Sequence, residues 1–459
     1  MFTFLNLSKS FNGCIDWNFP DYGKLWNYNL QYIDFINEEA LPERLRLEWV
    51  NDLYQNLFSG QTALEPYPVS LRSMNVMRFL SQGARIKAYP DLVESVEAEL
   101  TFLHDNYEYH ILGNHLLENA FAMYMGATFF NNRAWKKRAS AVLREQLDEQ
   151  ILEDGAHFEL SPMYHQIVLF RVLELISYVQ REDPIVPFVK EKAGRMLGWL
   201  TEVSFNNGDL PHFNDSSEGI AYTTAQLLEY ASAVAVPVKK VSLGSSGYRK
   251  VLGKAYECLI DVHGISPVYQ PGHNHADHLS FVLYIHDRPF IIDPGTSTYD
   301  KSARRQWERS SRAHNTVTVA DDDQSEVWGG FRVGRRARVN IISDLSVCIR
   351  ATAKYFSPKI GKEVFHEREF IFTEGITIRD TVDVTTDAVA RLYLHPKVDV
   401  SQKDDSTVVC NGNILIQCPR GNISIKGYSY SLGYNRLIPA KVLELTFQKD
   451  CETSIQITS

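Results

Sequence analysis

VPVKKVSLGSSGYRK, residues 236–250, divides a chain whose apolar residues recur with one period before it and another after it. Upstream, from about residue 25 to about 235, the period is helical. In NHLLENAFAMYMGATFF (114–130), Leu117, Ala120, Phe121, Tyr124 and Ala127 fall on one stripe, and PIVPFVKEKAGRMLGWLTEV (184–203) behaves alike. Short polar breaks between such segments suggest antiparallel helical hairpins, as a bundle or a toroid of helix pairs. Downstream the period is two. SFVLYIH (280–286), PFIID (289–293), TVTVA (316–320), REFIFTEGITIRDTVDV (368–384), ARLYLHP (390–396), NILIQC (413–418), ISIKGYSYSL (423–432) and KVLELTF (441–447) are β-branched, aromatic and punctuated by Gly, Asp and Asn. Many strands at close spacing without intervening helices mean an antiparallel sandwich. The expected fold is multidomain α + β, with a helical domain over 1–240, a β-sandwich over 241–459, and the Gly-Ser centre of 236–250 as linker.

A length of 459 residues exceeds one ordinary core, which agrees with two domains. The formal net charge of −9 argues against general nucleic-acid binding, which needs a basic face. One stretch is locally basic: Arg304, Arg305, Arg309 and Arg312, then Arg332, Arg335, Arg336 and Arg338. Such a run is either a solvated face or a surface for a polyanion. No segment approaches the roughly 20 apolar residues of a membrane span. The N-terminal MFTFLNLSKSFNGCIDW has neither the basic start nor the apolar core of a secretion signal, so none is expected in this chain. The six cysteines lack CxxC spacing, so neither a zinc ribbon nor a redox pair is indicated. Cys410 and Cys418 flank an Asn-Gly turn and could face each other across a hairpin, but free buried thiols are the stronger expectation.

PGHNHADHLSF (271–281) sets His273, His275, Asp277 and His278 directly before a strand, and FIIDPGTSTYD (290–300) and SSRAHNTVTV (310–319) follow. Asp293 ends an apolar strand at a Pro-Gly turn, and His314 precedes another strand. A strand pair could gather His275, Asp293 and His314 into an imidazole–carboxylate set suited to zinc; alternatively Asp293 and His314 cap loops through hydrogen bonds. In the helical half, GNHLLENA places Asn114, His115 and Glu118 at three- and four-residue spacings on one helix end, where Asn114 reads equally as an N-cap. In DGAHFELSPMYHQ, Ser161-Pro162 marks a helix start and puts Tyr164 in the first turn, where the helix dipole favours a phenolate or anion. Polar loop NNGDLPHFNDSSEG (206–219) offers His212, Asn214 and Asp215 to a cleft. Tyr299, Trp307 and Trp328 are candidates for stacking on sugar rings or for core packing.

Taken in order, NHLLENA, DGAHFELSPMYHQ, GHNHADHLSF, IDPGTSTY and RAHNTV resemble the heparinase II/III-like polysaccharide lyases over roughly residues 20 to 340. DDDQSEVWGGFRVGRRAR (321–338) is similar to members associated with bacterial exopolysaccharide clusters. The resemblance implies an (α/α) toroid followed by a β-sandwich, with an active site in the cleft between them. It implies β-elimination on an acidic, uronate-containing polysaccharide such as a glycosaminoglycan. Tyr164 matches the family's catalytic tyrosine and His273 its catalytic histidine. Asn114 matches the asparagine that neutralises the substrate carboxylate, and His115 and Glu118 match the residues that serve this region in heparinase-II-like members. His275, Asp293 and His314 match the ligands of a structural Zn2+. No organic cofactor is implied. Arg304, Arg305, Arg309, His212 and Trp307 are the expected substrate-binding residues. The family implies a periplasmic or secreted protein, whereas the absent signal leaves the cytoplasm open, as homo-oligomerisation is left open. Two rival readings remain: a zinc-dependent glycan hydrolase, and a non-catalytic polysaccharide-binding or biosynthetic accessory protein.

Overall fold

The computed structural model describes residues 1–457. They form two compact units that interleave along the chain. The first comprises Met1–Ile151, Val168–Ala193 and Ala233–Val236; the second comprises Leu152–Ile167, Gly194–Ser232 and the chain from Pro237 onward.

The first unit is helical. Helices Glu43–Phe58, Pro66–Leu80, Pro90–Asp105, Gly113–Phe129 and Arg133–Gln150 follow one another with short turns. Gly113–Phe129 is the central one: the expected stripe of Leu117, Ala120, Phe121, Tyr124 and Ala127 is buried, and so is nearly every other residue from 113 to 127. A helix apolar over most of its circumference can only lie inside. Four helices, Gly23–Gln31 among them, are further tied by a buried charge pair and its hydrogen bonds. The buried Arg72 guanidinium donates from Nε to Glu99 Oε1 at 2.7 Å and from another nitrogen to the Gln31 carbonyl at 2.9 Å, while Tyr54 donates to Glu99 Oε2 at 3.0 Å.

The second unit is built on antiparallel sheets. An eight-stranded sheet runs in the order Arg338–Leu345, Cys348–Ser357, Lys362–Phe372, Ile376–Val382, Asp450–Ile457, Ile414–Gln417, Thr407–Cys410 and Val400–Asp404. A four-stranded sheet orders Asn422–Gly433, Arg436–Phe447, Ala388–Tyr393 and Val317–Val319, and another orders Tyr248–Leu252, Tyr256–Asp261, Phe281–Ile285 and Arg288–Ile291. The core between them takes Ile260, Phe281, Val317, Phe370, Ile378 and Leu443. The strand Lys362–Phe372 alternates inward and outward residues, as half-buried strands do, whereas Tyr256–Asp261 and Phe281–Ile285 are buried throughout.

Two polar devices hold the layers. Asn315 donates to the carbonyls of Phe281 and Ile292 at 2.8 and 2.9 Å and accepts from the Tyr393 N–H at 2.7 Å, stitching one four-stranded sheet to the other. Arg368 forks onto Asp380 at 2.7 and 2.9 Å and reaches the carbonyls of Leu279 and Asn315. The stretch 236–250 is not a free linker. The Asp154 carboxylate accepts from the N–H groups of Gly244 and Ser246 and from the Ser246 hydroxyl at 3.0, 2.9 and 2.6 Å, which fixes the Gly-Ser centre within the second unit. Gly247 takes φ +76°, and a Cβ there would stand 2.4 Å from that of His263.

Burial by itself would raise the Asp380 carboxyl, but Arg368 and the His366 ring outweigh it and hold it at about 2. The folded value lies below the ordinary 3.8, so this contribution is present above about pH 4 and is lost as pH falls through about 2; it amounts to roughly 2 kcal/mol. Asp380→Asn is therefore expected to unfold more easily in urea at neutral pH. It should also show a flatter loss of stability on acidification than the wild type.

Candidate active site

The loop after Phe213 carries a carboxylate with no access to water. Asp215 is fully buried. Arg305 forks onto it, at 2.7 Å to Oδ2 and with a second bond to Oδ1. His273 Nδ1 lies 2.9 Å from Oδ2, His275 Nε2 lies 2.8 Å from Oδ1, and the Thr296 hydroxyl donates to Oδ1 at 3.3 Å. Burial works against the charge, but Arg305 and the two imidazoles hold the Asp215 carboxyl well below the usual carboxylate range. An ionised carboxylate only accepts, so the proton of each ring sits on the nitrogen facing Asp215. His273 is thereby held as the tautomer whose Nε2 is the basic atom, which is how an orienting carboxylate prepares a histidine for proton transfer.

That ring meets the tyrosine singled out by sequence. Ser161 starts the helix Pro162–Tyr178, its hydroxyl oxygen accepting from the Tyr164 N–H at 3.2 Å and donating to the Asp215 carbonyl at 2.7 Å. Tyr164 lies in the first turn with its ring centroid 3.9 Å from that of His273, and its hydroxyl is 3.2 Å from the Tyr299 hydroxyl. Burial, with Asp215 and Tyr164 adding to it, keeps the Tyr299 phenol far above its ordinary range, so Tyr299 stays protonated. Glu159 Oε2 stands 3.9 Å from His273 Nε2 and equally far from His157 Nδ1. A tyrosine and an oriented imidazole in contact form a pair that can remove a proton and deliver one.

The other histidines divide by environment. His275 is a neutral ring, pushed down to about 3 mainly by burial, and its Nδ1 has no hydrogen-bond partner among the described residues. His314 Nδ1 donates to Asp293 Oδ2 at 2.6 Å; burial lowers this ring, but Asp293 outweighs it and lifts it to about 9. The two rings are 5.2 Å apart. Among the described residues no group of three His, Cys, Asp or Glu side chains stands in a metal-holding arrangement. The donor chemistry nevertheless fits zinc: two imidazoles, a carboxylate, and an Asp215–His275 bond of the kind that orients a ligating ring while leaving its other nitrogen bare. His278 is a packing residue, donating from Nδ1 to the His263 carbonyl at 3.1 Å and accepting from Ser325 at 2.8 Å. Burial and then Asp261 raise the Asp277 carboxyl to about 7. Asp293 also ends its strand as expected, accepting from the N–H of Gly295, whose φ is +74°.

The basic run is placed otherwise than expected. Arg305 and Arg309 are each 1% exposed, so neither guanidinium faces a polyanion in solution. Arg305 serves Asp215, and Arg309 donates to the carbonyls of Asn274 and Arg332 at 2.9 and 3.1 Å. Arg304 is half-buried, pairs with Glu308 at 2.7 Å and covers the Trp307 ring at 4.5 Å. Trp328 is exposed. His212 lines a cavity of about 330 Å³ together with Asp209, Glu218, Asp293, His395 and Tyr430. Pro162 and Met163 border it, while Tyr164 and His273 do not. Asn214, expected in the cleft, is fully buried and scaffolds the loop instead, donating to the Leu160 carbonyl and accepting from the His275 N–H at 3.0 and 2.9 Å.

In the helical unit, Leu112 and Gly113 both adopt positive φ, so the helix begins at Gly113 and Asn114 stands within its first turn rather than at the cap. Asn114 is buried. His115 Nδ1 is 3.1 Å from Glu108, its ring 4.3 Å from that of Tyr67. Glu118 pairs with Arg171 at 3.1 Å, and Arg171 with Glu174 at 2.7 Å.

Two family models match the chain, Heparinase II/III N-terminus over residues 24–236 and Heparinase II/III-like, C-terminal over 236–458. The chain belongs to the heparinase II/III-like family. A heparin-sulfate lyase of Bacteroides stercoris is 20% identical over 93% of this chain and 69% of its own length. One from Pedobacter heparinus is 26% identical over 47% of this chain, which spans 37% of that protein. Among solved structures, a heparinase III matches 98% of this chain and 80% of its own with a TM-score of 0.73 at 16% identity. A chondroitinase AC lyase matches 94% and 75% with a TM-score of 0.57 at 12% identity. The chain thus has the heparinase III fold, a helical toroid followed by an antiparallel β-sandwich. Within this family frame, sequence reading placed Asp215 only as a cleft residue and passed over Glu159 and His157. Their signal, a carboxylate and an imidazole in the run leading to Ser161-Pro162, is too common to stand out.

Removing the Asp215 charge leaves Arg305 buried without a counter-charge, a change that costs about 3–5 kcal/mol. Asp215→Asn is accordingly expected to lower the urea midpoint strongly, and Arg305→Lys, which keeps the charge but loses the fork, to lower it less.

Proposed function

We propose that this protein is a polysaccharide lyase that cleaves a uronate-containing, acidic polysaccharide by β-elimination, leaving an unsaturated uronate at the new end. The observation that carries the reading is the contact of Tyr164 with a His273 ring held in one tautomer by Asp215. The names of the relatives, heparin-sulfate lyase, put heparan-type chains first among candidate substrates; the exopolysaccharide resemblance adds uronate-containing bacterial polymers.

The proton at C5 of a uronate lies α to a carboxylate, and its removal builds an enediolate. His273 Nε2 or the Tyr164 phenolate takes that proton, and the Tyr164 hydroxyl protonates the oxygen leaving C4. One tyrosine serves both transfers in a syn elimination, whereas an anti elimination needs His273 on one side. A free phenol titrates near 10, so a base role for Tyr164 rests on the helix N-terminus and the protonated Tyr299 hydroxyl beside it. Charge growing on the substrate carboxylate requires a polar donor. The family resemblance gives this role to Asn114, with His115 and Glu118 near it on the same helix. The cavity beside His212 and Tyr430 has room for a sugar ring and is the proposed subsite. The buried arginines serve as scaffold rather than as substrate contacts.

A zinc ion would be held by His275, Asp293 and His314 and would supply a structural cross-link; the proton transfers proceed on the protein's own residues. Metal analysis of the purified protein is expected to find zinc, and its removal by a chelator to lower Tm.

Ultraviolet absorbance of the conjugated C4–C5 double bond, followed over a panel of heparan sulfate, hyaluronan, alginate and bacterial exopolysaccharides, tests the activity. Rising absorbance is expected on at least one. Tyr164→Phe should lower kcat by about 10³-fold with little change in KM, and Asn114→Ala by about 10²-fold. New reducing ends without absorbance would instead identify a hydrolase, and saturable binding without turnover a binding protein.

A further inference from the structure

We infer that Cys418 and Cys451 form a reversible disulfide that locks the outer strands of the large sheet to its centre. The two Sγ atoms are 2.9 Å apart, nearer than sulfur atoms pack without sharing a bond or a proton. Cys451 lies in Asp450–Ile457, and Cys418 directly follows Ile414–Gln417, the strand paired with it through Ile414↔Ile457 and Gln417↔Ser454. This pairing is the junction at which Val400–Asp404, Thr407–Cys410 and Ile414–Gln417 join the rest of the eight-stranded sheet. Cys410, the partner suggested by the Asn-Gly hairpin, is not the neighbour of Cys418. Its strand pairs with Ile414–Gln417 through Cys410↔Ile414, four residues short of Cys418.

The surroundings accommodate the cross-link and a reagent to make it. A Cβ at Gly421 would stand 2.8 Å from Cys418 Sγ, so the glycine leaves the sulfur its space. Cys451, itself only 2% exposed, lines a cavity of about 340 Å³ with Thr381, Pro419, Arg379 and Arg420, and Cys418 is fully buried. Asp450 and Glu452 pair with Arg420 and Arg379 at 2.6 and 2.7 Å, which offsets the carboxylates at the entrance. The Cys451 thiol, the Thr453 hydroxyl and the Arg420 N–H together outweigh burial and hold the Cys418 thiol below its ordinary range. The hydrogen bond to Cys418 and burial push the Cys451 thiol up, so Cys418 holds the thiolate of the pair, while Cys451 is the sulfur that lines the cavity.

The oxidant is a small or protein-borne disulfide. The Cys451 sulfur, losing its proton, attacks one sulfur of oxidised glutathione, forming a mixed disulfide and releasing one reduced glutathione. The Cys418 thiolate then attacks the Cys451 sulfur, forming Cys418–Cys451 and expelling the second. Two thiol hydrogens pass to two glutathione molecules, and the reverse exchange with excess thiol reopens the bond.

The test treats full-length protein with oxidised glutathione, blocks remaining thiols under denaturing conditions and maps the peptides by mass. The exposed Cys14 reports that the reagent is active. Expected is a peptide pair joining Cys418 to Cys451, lighter by two hydrogens, free of glutathione and restored by dithiothreitol. Closing the loop between them should raise Tm by ~5 °C, a rise absent from Cys418→Ser, in which Cys451 should retain glutathione. Modification of Cys14 with Cys418 and Cys451 still fully alkylated would overturn the inference, as would glutathione retained on wild-type Cys451. The wild-type map decides even if the variant does not fold, and it is independent of the lyase reading.

Discussion

A single carboxylate without access to water sets the chemistry of the second unit. Asp215 is ionised because Arg305 is forked onto it, and Arg305 can be buried because Asp215 is there. Either alone would be expelled to solvent or neutralised, since an unpaired buried charge is intolerable at low dielectric. Together they form an anionic anchor with acceptor capacity to spare, and His273 and His275 take it up. The anchor fixes which nitrogen of each ring carries the proton. One ring, in contact with Tyr164, is left with a bare Nε2 3.9 Å from Glu159, and the other, 5.2 Å from the His314 ring, with a bare Nδ1.

This explains how one histidine-rich loop can serve several purposes. His273, His275 and His278 lie within six residues, yet their settings differ: His273 and His275 take opposite oxygens of one carboxylate, and His278 takes a backbone carbonyl and a serine. Burial pushes His275 and His278 down to about 3, so both are neutral, while His314 is lifted to about 9 by Asp293. Charge state here follows the balance between burial and the charges around each ring: Asp215 does not offset the burial of His275, whereas Asp293, with Asp277 and Asp261, outweighs that of His314.

The arginines follow the same logic. A run of guanidinium groups beside a proposed polyanion site invites a substrate-binding role, but guanidinium is weakly hydrated and its fork suits buried carboxylates and carbonyls. Arg305, Arg309 and Arg368 are all interior residues that hold loops or strands in place. In the helical unit, Arg72 with Glu99 and Arg171 with Glu118 repeat the pattern.

Much of the architecture was legible in the chain itself, because period is local. The 3.6-residue stripe of Gly113–Phe129, the alternation of Lys362–Phe372, the Ser161-Pro162 helix start and the Asp293 turn each rest on neighbours within a few positions. Tyr164 and His273 were legible as motif residues, and the family resemblance rests on the same short runs. What spacing does not encode is which distant groups meet. The convergence of residues 164, 215, 273, 275 and 305 depends on the packed loops, as do the burial of the arginines and the choice of Cys451 over Cys410 as the neighbour of Cys418. Desolvation and long-range pairing are properties of the folded interior, so only the tertiary structure could decide them.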